Sequence, residues 1–270
     1  MKSKLLKLKN IGIVAIALTA FAWTGASAQG VVSTKHNLGS TGPGPNTFSG
    51  TDETCVFCHT PHGGDTSAAV PIWNRSVALP TAYTTYATLQ SSSIEGATAP
   101  VGSVSIACLS CHDGTQAMDS LLNDPGSGLV VTTFTNGTWT GVGTLLGTDA
   151  DLGQDLSNDH PVGIQYGGGG LIVGGGALND SDFKPAQEAI INNNNIWWVD
   201  TEAIPDGARQ KTDIQLYARS DVLDVNGDPI TGGLQPYVEC ASCHDPHTTQ
   251  DLFLRVDNAS SAVCLACHTK

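Results

Sequence analysis

The chain has 270 residues, a formal net charge of −13 and 25 acidic residues against 12 basic ones. That balance argues against nucleic acid as a partner, because phosphate binding needs Lys and Arg. After the N-terminal segment, no stretch has the roughly 18 continuous apolar residues that a transmembrane helix requires, so no membrane span is expected.

Residues 1–28 read as a secretory signal peptide. Lys2, Lys4, Lys7 and Lys9 make a basic start. Ile11 to Trp23 is an apolar run too short to cross a bilayer, and Ala26-Ser27-Ala28 is a small-residue cleavage site. Cleavage would leave one mature unit, 29–270, more acidic than the precursor. The expected location is extracellular or at the cell surface, with the periplasm as the alternative. An acidic exported surface suits cationic or metallic partners, among them redox proteins and extracellular metal oxides. The mature composition is rich in Gly, Asn, Thr and Ser and poor in large apolar residues. A core filled in part by a large cofactor would answer that shortage.

His36 comes next, on an arm followed by a Gly-, Pro-, Ser- and Thr-rich linker from Asn37 to Thr54. Then come the cysteines. All eight sit in one repeated pattern: Cys55-Val56-Phe57-Cys58-His59, Cys108-Leu109-Ser110-Cys111-His112, Cys240-Ala241-Ser242-Cys243-His244 and Cys264-Leu265-Ala266-Cys267-His268. C-x-x-C-H is the attachment signal of c-type haem. Two thiols add to the haem vinyl groups, and the adjacent imidazole, here His59, His112, His244 and His268, becomes the proximal iron ligand. The implied cofactor is four haem c. Two other readings use part of the pattern. Cys240, Cys243, Cys264 and Cys267 have spacing at the edge of a zinc ribbon, and an exported chain tolerates disulfides. Neither explains the His after each pair.

The four remaining His, His36, His62, His160 and His247, match the number of distal positions on four irons. This predicts bis-His ligation throughout; Met118 is the sole alternative in the mature chain. His62 and His247 each lie three residues beyond a proximal His, in Cys-His-Thr-Pro-His and Cys-His-Asp-Pro-His. Residues so close lie on one side of a turn, so neither can reach the far face of its own haem. Each is expected to ligate a neighbouring haem and hold two haems close. Pro161 biases His160 toward an extended backbone.

Between the second and third motifs runs a Gly-rich, Cys-free stretch, 113–239. A β-hairpin is expected over Val130 to Thr135 and Thr138 to Val142, around Asn136-Gly137. A short helix is expected from Asp182 to Ile191, ended by Asn192 to Asn195. Trp197 and Trp198 should pack in the local core. Asp221 to Asp228 has a loose calcium-loop look but lacks the EF-hand Glu, and reads as a turn. The fold class expected overall is mostly irregular coil, with short α-helices at the haem motifs, a few short β-hairpins and a core built on stacked haems.

His36-Asn37-Leu38, Cys55 to His62, Pro71-Ile72-Trp73-Asn74-Arg75, His160-Pro161-Val162 and Cys240 to His247 together resemble the secreted multihaem cytochromes of metal-reducing bacteria. The closest likeness is to the tetrahaem type that polymerises into extracellular filaments. The resemblance implies a homopolymer with a continuous haem chain, in which a His of one subunit completes a haem of the next; His36 is the candidate donor. It implies an electron carrier and not an enzyme. A soluble periplasmic shuttle and, behind it, a multihaem oxidoreductase are the alternatives.

Overall fold

The structure is a computed structural model that describes residues 29–77, 83–89, 91–126, 137–220 and 233–270. The signal-peptide segment, the first arm of the 130–142 hairpin and the 221–228 turn lie outside the described residues.

The C-terminal half is built on an antiparallel sheet of five strands. β1 (Ile164–Gln165), β4 (Gln187–Ile191), β5 (Asn194–Val199), β6 (Ile214–Arg219) and β7 (Gln235–Val238) lie in the order β1-β7-β6-β5-β4. β2 (Leu171–Ile172) and β3 (Gly175–Gly176) form a separate two-stranded hairpin. This overturns the expected fold of mostly irregular coil with a few short hairpins around a core of stacked haems. The run Ile196-Trp197-Trp198-Val199 is aromatic and β-branched, and such side chains pack well on a pleated surface. Trp197, Val199, Ile214, Leu216, Val238, Tyr166, Leu171 and Ala266 bury into one cluster. Polypeptide alone therefore fills this part of the interior.

The helix expected over 182–191 is also absent. Asn192 and Asn193 have φ of 50° and 61° and connect Ile191 to Asn194, which pair directly. Two consecutive positive φ values make a type I′ hairpin turn, and Asn adopts them more readily than other side-chain-bearing residues. The Asn run thus reverses a strand where a helix stop was expected.

Helices are few and short: α1 (Gln29–Val32), α2 (Ser105–His112), α3 (Cys240–Cys243) and α4 (Ala262–Leu265). Among the described residues, no helix is long and apolar enough to cross a membrane. The N-terminal half is held by isolated bridges, including Phe48 with Trp139, His59 with Trp73 and Arg75 with Leu121. Thr138 to Val142, the expected second hairpin arm, pairs through Trp139 with Phe48. Two small clusters lie here, around Phe48, Val56 and Phe57 and around Ala68, Trp73, Ile106 and Ala107.

Candidate functional site: four Cys-His motifs and their facing imidazoles

The second motif lies on α2, the third on α3 and the fourth at the end of α4. The first is a tight turn, closed where the amides of Cys58 and His59 donate to the Cys55 carbonyl. A helical turn brings the two thiols of C-x-x-C to one side and leaves the following His to project beyond them. At α3 the chain adds a reciprocal cap. The Glu239 side chain accepts from the backbone of Ser242, and the Ser242 hydroxyl accepts from the Glu239 amide. Both orphan donors at the start of that helix are thereby satisfied.

None of the eight Cys forms a disulfide. Burial pushes the Cys58 and Cys267 thiols up to about 12, and raises Cys111 and Cys243 as well. Cys240 shifts the other way, its pKa lowered chiefly by a hydrogen bond from Cys108. The zinc-ribbon reading fails on geometry. Among the described residues, no Cys or His ligand atoms converge in threes at metal-binding distance. Among the described residues the group that does so is Asp200, Glu202 and Asp213, within 4.8 Å. Asp200 accepts from Trp198 and Gly207, and Asp213 from Thr201 and Gln210. The two Asp side chains serve as a loop clamp beside β5.

Five of the eight imidazoles have an acceptor beside Nδ1. His59 Nδ1 lies 3.0 Å from the Pro71 carbonyl, His112 Nδ1 2.8 Å from Ala150, and His244 Nδ1 2.8 Å from Leu252. His160 Nδ1 lies 3.1 Å from the Pro161 carbonyl, and His247 Nδ1 lies 3.3 Å from the Asp245 carboxylate. A carbonyl or carboxylate accepting from Nδ1–H fixes the tautomer and turns Nε2 outward as the ligand atom.

Two pairs of rings face each other. His59 and His247 have centroids 6.2 Å apart with planes 13° from parallel. His36 and His112 are also 6.2 Å apart, with planes at 88°. An imidazole nitrogen binds a first-row metal at about 2 Å, so two rings on opposite sides of one ion have centroids about 6 Å apart. The separations fit a shared iron, and the residues present therefore fit haem c. Desolvation, with His112 as the main charged contributor, pulls the His36 pKa down to about 4. The Pro246 carbonyl opposes that fall but stops short of hydrogen-bond geometry, leaving the buried Nδ1 without a partner. Desolvation also lowers His160, and among charged groups it is His268 that adds to the fall. These two therefore lie near one another.

His36, the sequence candidate for a ligand to another subunit, thus lies against His112 of its own chain. Its ring also stacks on Phe253 at 4.1 Å. Met118 is buried and accepts through its carbonyl from Arg75. Exposed His62 has no ring contact with another imidazole among the described residues.

The sequence marked Trp73-Asn74-Arg75 only as part of a resemblance and gave no role to the residues that lock the motifs together. Trp73 meets His59 edge-on at 6.1 Å. Asn74 donates to the Val56 carbonyl inside the first motif, at 2.7 Å. Arg75 donates to the Ser110 carbonyl inside the second, at 3.1 Å. Three consecutive residues thus clasp two motifs. The second and third are joined in turn by Ser105, whose hydroxyl donates to Glu239 and accepts from the Cys240 amide at 3.0 Å. Glu239 is paired with Arg219 at 2.8 Å, both side chains being almost wholly buried. For the fourth motif, the Cys267 carbonyl accepts from the Lys184 amide at 2.7 Å. The signal for the first clasp was a fully buried Arg in a Trp-Asn-Arg run, which no periodicity reveals.

Residues 230–270 match the family model of the doubled CXXCH motif, a haem c-binding sequence. The match covers the third and fourth motifs. No curated protein sequence matches the chain.

Proposed function

We propose that the protein is an exported tetrahaem electron carrier that works as a polymer outside the cell. The observation that carries the haem part is the pair of 6.2 Å imidazole separations, which brings His247 from the third motif to His59 of the first and His36 to His112. Haem supplies the reversible ferric–ferrous couple. The chain supplies the rest. Nδ1 anchors hold five of the rings, those of His59, His112, His160, His244 and His247, in orientation, and clasps between successive motifs limit movement when an electron arrives. Adjacency of thiols supports a chain of sites in sequence order. Cys58 and Cys111 lie close enough to interact, as do Cys108 and Cys240, and Cys243 and Cys264.

His59 is then served by His247, His112 by His36 and His268 by His160. His244 and His62 remain. In the polymer reading, exposed His62 completes the His244 iron of a neighbouring copy, taking the role that the sequence offered to His36. The test has two readouts. Intact mass and a pyridine haemochrome assay of secreted protein should both give four haems per chain; fewer overturns the tetrahaem reading. Electron microscopy of the same material should show filaments, and His62→Ala should abolish them while leaving four haems attached. Uniform monomers carrying four low-spin haems would instead establish a soluble shuttle.

A further inference from the structure

Arg75 is fully buried. Its guanidinium donates to three carbonyls: Met118 at 2.7 Å, Ala117 at 2.8 Å and Ser110 at 3.1 Å. Carbonyls satisfy donors without neutralising charge. Among the described residues, no carboxylate forms an ion pair with Arg75. The contrast is Arg219, equally buried but matched by Glu239 at 2.8 Å. An uncompensated buried cation is costly, and a neutral side chain could clamp carbonyls at lower cost. The position of Arg75 suggests why the charge is kept. Its guanidinium reaches the Ser110 carbonyl next to Cys111, and the amide of its neighbour Asn74 donates to the Cys58 carbonyl, so it sits between the attachment points of two haems.

We infer that Arg75 tunes reduction potential, raising that of the haems on the first and second motifs. The inference rests on the haem reading above. Reduction takes ferric iron to ferrous and lowers the net charge of the site by one. A nearby fixed cation destabilises the ferric form relative to the ferrous one, so the midpoint rises. Low local dielectric strengthens the effect, and burial protects it from salt. Other charges near these two sites are Asp113, which follows His112, Asp151, which follows the Ala150 carbonyl that His112 faces, and Asp245, which faces His247 at the first site. They shift each potential separately and do not cancel the response to a change at Arg75.

The two ring pairs provide separate handles. Near-parallel imidazole planes, as at His59 and His247, give a rhombic low-spin ferric signal in electron paramagnetic resonance. Perpendicular planes, as at His36 and His112, leave two iron orbitals nearly degenerate and give a broad signal at high g. A redox titration followed at both signals therefore reads the two haems individually. Haem content is measured first on every variant, so loss of haem counts against the tetrahaem reading and not against this inference. With four haems present, Arg75→Gln and Arg75→Met should each cut the reduced-to-oxidised ratio about tenfold at a given applied potential, a fall of 59 mV for a one-electron couple. Arg75→Lys, which keeps the charge, should stay within about threefold of wild type. Midpoints unchanged in the neutral variants would overturn the inference. So would a Lys variant that falls tenfold, because the forked clamp would then matter and not the charge; that arm stands alone if neither neutral variant folds.

Discussion

The two halves of the molecule solve the same problem by different means. From Ile164 onward, strands β5 to β7 together with Tyr166, Leu171 and Ala266 stack aromatic and aliphatic side chains into a cluster of eight buried residues. Between Asn37 and Leu156 the described residues form α2, isolated bridges and two clusters of three and four buried residues. Polar side chains compensate there. Buried Asn37 donates to the Val32 carbonyl and accepts from the Gly39 amide. Asn74 donates to two carbonyls and accepts from the Asn123 amide. The sheet half has apolar side chains enough to make its own interior. The loop half relies on hydrogen bonds and, in the haem reading, on the cofactors it wraps.

That contrast can be broken at its strongest point. Trp197→Ala should cost about 3–5 kcal/mol, the range for an aromatic deleted from a packed core, and lower the denaturant midpoint of the whole chain. Little change would mean that haems carry the sheet half as well. The seam between the halves comes next. Arg219 reaches from β6 to Glu239 and to the Pro100 carbonyl. Arg219→Met should cost about 3–5 kcal/mol by leaving a buried carboxylate unpaired, and Arg219→Met with Glu239→Gln should recover part of the loss. A double variant no better than the single would place the defect in packing.

A smaller effect tests the loop half alone. A Cβ at Gly30 would lie 2.1 Å from the His247 carbonyl, so α1 can dock there only as glycine. Gly30→Ala should displace the arm that carries His36, cost about 1–3 kcal/mol and diminish the perpendicular-ligand ferric signal while sparing the sheet. The smallest effect belongs to the hairpin. Asn192→Ala at φ 50° should cost about 1 kcal/mol, whereas Asn192→Gly should be tolerated, both read by thermal unfolding.

Local sequence was most informative where chemistry demands adjacent residues. The attachment motifs, the proximal His and the inability of His247 to serve its own motif all follow from spacings of five residues or fewer. The distal partners were a count without an assignment. His36 and His112 are far apart in the chain, and only the fold brings them within 6.2 Å. The hairpin at Asn192 was misread because Asn both ends helices and turns strands. The difference lies in whether residues 187–191 find a partner, which β5 supplies through tertiary pairing.

The amino-acid sequence by itself determined the cofactor class, since two thiols and an imidazole must follow one another closely to hold one porphyrin. It also determined the surplus of acid and the supply of imidazoles. Only the tertiary structure decided that a five-stranded sheet backs the site, which rings face each other, and that among the described residues Arg75 pairs with no carboxylate while Arg219 has one. Those outcomes depend on contacts between residues tens to hundreds of positions apart, whose pairing is set by packing and burial rather than by any local pattern.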